Sequence, residues 1–484
     1  MSLAKKAVQG GLYLTINYFV LFVLGFVSNI ILARLLIPEH YGIFALGLFF
    51  FDIVQRIRLF GFKSALIHKK EPSPDEISTH FLLHFIFSVV VILVSLLVSP
   101  LISIKYDRAI VDVFLVLALI SLFDNEGLGA TPSALLEKEL RYREFSLINF
   151  LAFFLSAFAA IVSALAGMGV WSLVIQRATF NLVLFIGCWL VSPWKLSLRK
   201  IRLNRGAARW FLREQGVFLW IVGLMGYVVL SFDDFLVGTL VGVTALGFYS
   251  MAYNISKMPL GFLSNFIQVA FPTYSKLQDD KERLSFAYDL TNGFLVRFGF
   301  LASIMLLFVA KEAVILLLGE KWLPSVILIQ LLVLYSLMRP LQDAMGSVST
   351  ALGKVREYSH LSILQGILMF TLTPVMTYFY QAKGAAISVG LIVLLGVVLL
   401  QRSLRERIEI NNFRIYLYPG VAALASSLAY LGVFLNYEFT LNLWFVLFSK
   451  IGLLLLVYLS VLFLLEGRVL VARFRYLLSV VYGK

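Results

Sequence analysis

The sequence predicts an all-α polytopic membrane protein, and three observations carry that prediction. Hydrophobic residues make up 60% of the 484 positions and charged ones only 14%, where a soluble domain has roughly 25% charge. Apolar runs of about 20 residues, each long enough to cross a hydrocarbon core as a helix, recur along the whole chain, and the mean hydropathy is +0.91. Basic residues gather in alternate loops: roughly 28 lie on one side and about 5 on the other, the asymmetry expected of cytoplasmic and external loops. The short alternating segments of a membrane β-barrel are not seen.

Taken in order, the apolar runs give about fourteen spans. They cover 11–36, 40–62, 79–99, 110–132, 146–167, 169–191, 214–240, 244–272, 286–308, 324–351, 358–380, 383–401, 414–435 and 440–465. The connections are short and none holds a soluble domain. The N-terminal stretch MSLAKKAVQ leads into a run too long for a cleavable signal and without a small-residue cleavage site, so the first span is expected to be retained. The charge alternation places both termini in the cytoplasm, with the chain in the cell (inner) membrane.

The basic stretch WKLSLRKIRLNRGAARWFLR follows the sixth span and divides the chain. Residues 1–195 form one expected six-helix lobe, 196–213 the loop between lobes, and 214–401 a second six-helix lobe. Residues 402–466 hold two appended helices, and 467–484 a basic amphipathic tail lying on the inner leaflet. The lobes echo one another. Gly42 in LLIPEHYGIFAL aligns with Gly247 in LVGVTALGFYSM, and the same offset pairs Asn29 with Asp234 and Asp52 with Lys257. SALLEK (133–138) aligns with STALGK (349–354). Six spans is an even number, so the two copies share one orientation and make a parallel repeat.

Ionisable groups inside spans are the candidate functional residues, because a charge at the membrane centre costs several kcal/mol unless it meets a partner or water. In the second span Asp52, Arg56 and Lys63 are expected on one face of a continuous helix, with Arg58 pointing away to the inner surface. Asp52–Arg56 also reads as a self-neutralising structural pair. In the eighth span Asn254, Lys257, Gly261, Ser264, Asn265 and Gln268 keep to one side, a polar face that suits a cavity rather than lipid. Pro259 is expected to bend this helix. Asp233 and Asp234 are neighbours 100° apart, so one should face an opening and the other a packed helix; both are coupling-ion or gate candidates. In the tenth span Arg339 and Asp343 flank Pro340 at i, i+4, and its counterpart LFDNEGLGATPS in the fourth span is equally interrupted. Arg177 and Arg297, in mid-span, complete the set. Arg34 ends the first span and can snorkel, and Lys450 lies on an appended span, so neither is taken as a functional candidate.

Several chemistries find no support. There is no Walker A motif. The five histidines lack metal-ligand spacing, although His80 and His84 share a helix face, and the single Cys188 lies in an apolar run. No nucleophile–base pairing is visible. The net charge of +14 reflects basic inner loops rather than nucleic-acid binding. No catalytic group, cofactor or metal site is expected.

The segment after Asp233 carries a further pattern. Asp233, Gly238, Gly242, Gly247, Tyr249, Ser250, Ala252 and Tyr253 continue to Phe271, Pro272, Leu277 and Gln278. With GLGATPSALLEKELRYREFS (127–146), GVWSLVIQ (169–176) and LARLLIPEHYG (32–42), it resembles the polysaccharide-transport branch of the multidrug/oligosaccharidyl-lipid/polysaccharide exporter superfamily, closest to flippases of colanic-acid type. The resemblance extends nearly to Gln401. It implies two MATE-like six-helix lobes around a central cavity that opens alternately inward and outward, lined by spans 1, 2, 7 and 8. It also implies a substrate, a glycan repeat unit on a polyprenyl diphosphate, moved from the cytoplasmic to the outer leaflet. H+ and Na+ are the candidate coupling ions, and an uncoupled mechanism stays open beside them. Relatives often carry a basic residue just after Gly238, where this chain has Thr239. A drug or cation antiporter of the same superfamily would want a net acidic cavity, whereas basic residues predominate within these spans. A membrane polymerase or glycosyltransferase would need a large external loop.

Overall fold

The computed structural model describes residues 3–58, 61–196, 202–214, 217–410, 413–434 and 442–467. Within these, side chains are described except at 3–18, 213–214, 217–223, 225, 229, 259–273, 355 and 414. The expected amphipathic tail, the bend at Pro259, and the candidates Asn265 and Gln268 lie outside the described residues or side chains.

The described chain is helical from end to end. The first part holds α1 (Leu3–Leu35), α2 (Pro38–Gln55), α3 (Phe62–His68), α4 (Pro74–Ser103), α5 (Arg108–Ile120), α6 (Ala130–Lys138), α7 (Tyr142–Leu165), α8 (Trp171–Val191), α9 (Arg205–Glu214) and α10 (Val217–Leu236). The second holds α11 (Val243–Lys276), α12 (Lys281–Phe308), α13 (Ala310–Leu317), α14 (Pro324–Leu331), α15 (Val333–Ala351), α16 (Val355–Leu404), α17 (Tyr418–Phe434) and α18 (Leu443–Glu466). Among the described residues seven helices are long and apolar enough to cross a membrane: α4, α7, α8, α12, α16, α17 and α18. The pair α14 and α15, bent by 41°, makes a further broken span. Large apolar side chains such as Leu97, Ile104 and Leu464 point outward, more than three-quarters exposed, as a lipid-facing surface requires.

Local sequence explains where helices start and stop. Ser73 caps α4 through a capping box with Glu76, and Pro74 takes the first turn, where a missing N–H costs nothing. The 50-residue α16 is two antiparallel helices: Gln381 has φ 55° and ψ −142°, and the reversal brings Gly384 against the Met376 carbonyl. This matches the expected spans 358–380 and 383–401.

Three expectations are corrected. The second span is not one continuous helix. α2 ends at Gln55, a 3-10 turn covers Arg56–Arg58, Gly61 takes φ 75°, and α3 restarts at Phe62. Lys63 therefore does not share the face of Asp52 and Arg56. Arg58 does not reach the surface: it is 1% exposed, ion-paired to Asp124, and donates to the Ser121 carbonyl at 2.8 Å. The loop between the expected lobes contains α9, capped by Asn204 and clamped to α4, whose Thr79 hydroxyl accepts from the Asn204 N–H at 2.9 Å. Phe211 of α9 is fully buried against Phe62 and His80.

The interruption expected in the fourth span is present. α5 gives way to a 3-10 turn at Ser121–Phe123 and an irregular stretch before α6. A Cβ at Gly127 would lie 2.5 Å from the Leu122 carbonyl oxygen, so only glycine fits there. Arg58, the His84 Nδ1 and the Trp189 indole all donate to carbonyls of this stretch, replacing helix bonds that the break removes. In the tenth span the bend falls at Leu332, between α14 and α15, and α15 runs unbroken through Pro340.

The chain divides into two compact units. The first is Met1–Gly238 with Gly242–Gly247, and the second is Thr239–Val241 with Phe248–Lys484. In the first, α2 packs on α5 and α10, and α7 on α8 and α1; its core gathers Phe51, Val54, Val91, Phe114 and Leu117. In the second, α15 packs on α16 and α12, and α17 on α18. One core there centres on Tyr288, Val296, Leu341 and Met345, another on Ile304, Leu454 and Tyr458.

Candidate functional site

In the first unit, α2, α8 and α10 bring charged groups together at membrane depth. Arg177 and Arg56 both stand within electrostatic reach of Asp52, and the Tyr227 hydroxyl beside them donates to the Phe49 carbonyl at 3.5 Å. The Arg56 guanidinium lies over the Tyr227 ring, 4.5 Å from its centroid. Asp234, half-buried, acts on the same tyrosine, whereas Asp233 is 1% exposed. The two neighbouring aspartates thus point in different directions, as their spacing expects. Arg177 is exposed on α8 and supplies the most open cation of the group. Lys63 stands apart: its ammonium donates to Glu137 at 2.7 Å, joining α3 to α6.

The second unit holds a different arrangement. Asn254 and Lys257 are exposed on one side of α11. The Lys257 ammonium sits 3.9 Å from the centroid of the Tyr253 ring, a cation–π contact. Tyr253 packs on Tyr335 of α15 with centroids 4.9 Å apart. One turn further along α15 stands Arg339, which grips Asp343 through two bonds: Nη2 to Oδ1 at 3.0 Å and Nε to Oδ2 at 3.3 Å. The sequence-predicted residues Lys257, Arg339 and Asp343 thus form one series linked by tyrosines.

Two intramembrane cations serve packing instead. Arg297 is buried and forked onto Glu466 of α18, and the Tyr458 hydroxyl donates to its backbone carbonyl at 2.8 Å. Its charge is committed to holding an appended helix. Lys450 is likewise buried, bonded to Glu312 at 2.9 Å and to the Tyr430 hydroxyl at 2.9 Å. His80 and His84, with ring centroids 4.5 Å apart, bond through Nδ1 to Thr131 and to the Glu126 carbonyl and tie α4 to the broken span.

Sequence reasoning passed over three features. Tyr227 opens the stretch 227–278 that drew attention in the sequence, yet nothing in its spacing marked it as the ring beneath Arg56. The Arg58–Asp124 pair was signalled by an aspartate inside an interrupted span. Ser347 and Thr350 continue the Arg339–Asp343 line at helical spacing, and a count of polar positions at i, i+4, i+8 and i+11 would have found them.

The family model described as "Polysaccharide biosynthesis protein" matches residues 31–327. An uncharacterised membrane protein of the cps region of Klebsiella pneumoniae is 26% identical over 397 residues, covering 80% of each chain. Lipopolysaccharide biosynthesis protein WzxC of Escherichia coli (strain K12) is 24% identical over 363 residues, covering 73% of this chain and 72% of that protein. Succinoglycan biosynthesis transport protein ExoT of Rhizobium meliloti is 27% identical over 314 residues, covering 62% and 60%. Among solved structures, the lipid II flippase MurJ in an inward closed conformation aligns with a TM-score of 0.68 at 14% identity, over 95% of this chain and 99% of that one. An inward-facing multidrug resistance MATE family transporter of the MOP superfamily aligns at 0.57 and 16% identity, over 80% and 94%. At such identities the structural likeness speaks for the fold alone.

Proposed function

The chain belongs to the polysaccharide biosynthesis protein family, and from that premise we propose that it is a flippase for polyprenyl-diphosphate-linked oligosaccharide repeat units. It carries them from the cytoplasmic to the outer leaflet by alternating access, in the cell membrane, with both termini in the cytoplasm. The proposal includes fourteen spans and two parallel six-helix lobes, 1–195 and 214–401, around a central cavity. The sequence repeat carries that division. Curated relatives named for polysaccharide biosynthesis and transport support the reading.

The single observation that carries it is the exposed Lys257 ammonium, inside a helix expected to span the membrane and seated on a tyrosine ring. An ammonium turned to lipid would cost several kcal/mol, so a lysine exposed at this position suits water or an anion. A diphosphate on a lipid is an anion delivered at that depth, and a cation in low dielectric is what binds it. Asp52, Arg56 and Arg177 supply the first unit's charges. Asp233 and Asp234 are the proposed sites for a coupling H+ or Na+. The test is what accumulates in cells lacking this chain. A lipid-linked oligosaccharide trapped on the inner leaflet, cleared when the gene is restored, is expected; unchanged surface glycan and no trapped intermediate would reject the proposal.

A further inference from the structure

α15 is closed on almost every side. From Tyr335 to Ala351 all residues are buried except Met338, Arg339, Asp343, Ser347 and Thr350. Apart from the half-buried Met338, the open face is one stripe at i, i+4, i+8 and i+11, polar throughout and roughly 16 Å long at 1.5 Å per residue. Such a stripe on a membrane helix faces a hydrated space rather than acyl chains.

The charge balance of this stripe decides which ligand chemistry it suits. Arg339 and Asp343 neutralise one another through two hydrogen bonds, so the stripe is polar but carries no net charge. The Asp343 side chain nevertheless stays 40% exposed, against 22% for Arg339. An ionised carboxylate has about four lone-pair positions, and the guanidinium fork occupies two, which leaves acceptors for hydroxyl donors on the open side. The Thr350 hydroxyl donates to the Gly346 carbonyl at 2.8 Å, so towards a ligand it offers lone pairs. Ser347, between them, can donate or accept. The Tyr358 ring packs directly over Gly346, where a Cβ would come within 2.9 Å of it, and flanks the stripe with an aromatic surface. Neutral hydroxylated rings suit this chemistry; a multiply charged diphosphate does not, because the one cation here is already engaged.

We propose that the Arg339–Asp343–Ser347–Thr350 stripe is a carbohydrate subsite that accepts hydroxyls of the glycan, while the lipid diphosphate is held elsewhere, at Lys257. Arg339 is a positioning residue that holds the Asp343 carboxylate through two hydrogen bonds. This rests on the flippase reading above and adds a division of labour: recognition of the sugar body is separated from recognition of the anionic head.

The test uses the purified full chain and two probes. One is the lipid-linked oligosaccharide extracted from cells that lack this protein, and the other is undecaprenyl diphosphate without sugar. Binding is followed by native mass spectrometry, with thermal unfolding as the folding control. Asp343→Asn is expected to weaken the oligosaccharide lipid by about tenfold, and the milder Ser347→Ala by about threefold, the sizes of one charged and one neutral hydrogen bond. Affinity for undecaprenyl diphosphate does not fall in either, whereas Lys257→Gln weakens both probes. Equal loss of both probes in Asp343→Asn and Ser347→Ala, or unchanged affinity for the oligosaccharide lipid, overturns the subsite. If the wild-type chain binds neither probe, the flippase reading itself fails.

Discussion

Gly42 of α2 lies so close to Val243 that a Cβ on it would stand 1.8 Å from the Val243 carbonyl oxygen. Gly247 stands in the same relation to Pro38, again with 1.8 Å between a built Cβ and a carbonyl oxygen. Pro38 and Val243 stand at the same sequence offset as Gly42 and Gly247, and the first turns of α2 and α11 meet backbone to backbone in a reciprocal way. The obstacle at each glycine is main chain, which cannot rotate aside.

Substitution at either glycine therefore forces the helix starts apart. Gly42→Ala and Gly247→Ala should each cost about 3 kcal/mol, the upper end of the overpacking range. A lowered thermal unfolding midpoint of the purified variants is the expected reading. An alanine variant as stable as the parent would show that the crossing is looser than described.

Arg58 holds a buried charge for the broken fourth span. Arg58→Ala leaves the Asp124 carboxylate uncompensated and removes a donor from the Ser121 carbonyl, so unfolding free energy should drop by about 3–5 kcal/mol. Replacing both members together, Arg58→Met with Asp124→Leu, should recover most of the loss. Chemical denaturation of the single and double variants checks this; a double variant no better than Arg58→Ala would locate the cost elsewhere.

Arg297 serves as a sorting test between packing and transport. Because its guanidinium is forked onto Glu466, the pair Arg297→Met with Glu466→Leu should keep surface glycan export near the parent level, while Glu466→Ala alone destabilises the chain. Export abolished in a double variant that reaches the membrane in normal amount would return Arg297 to the substrate path.

Arg56 and Lys257 should both be reachable from water. Single cysteines at these positions are expected to react with a polar, membrane-impermeant thiol reagent in open membranes. The native Cys188, which is fully buried, stays unlabelled. Protection of both introduced cysteines would mean that neither faces an aqueous space.

Helix content and the interruption of the fourth span were legible in the sequence because they rest on run length, charge exclusion and glycine placement, all local properties; the break of the tenth span falls at Leu332 and not at Pro340, through which α15 continues. The second span was misread because its apolar run continues through Gly61, whereas α2 ends at Gln55 and Arg58 finds its partner in Asp124, far away in the chain. The candidate charges were legible as a set, since any ionisable group in a span stands out. Their sorting was not: whether Arg297, Lys450 or Lys63 is spent on packing depends on Glu466, Glu312 and Glu137, which lie far away in the chain. Arg339 and Asp343 were paired correctly because i, i+4 spacing is a local fact.

The central claim is that Lys257 meets an anionic lipid-linked substrate during export. The most direct measurement is surface glycan in cells whose only copy of this chain carries Lys257→Ala, with membrane levels of the protein monitored in parallel. The account predicts loss of surface glycan and build-up of the lipid-linked oligosaccharide on the inner leaflet at unchanged protein level. Normal surface glycan in that strain would contradict it.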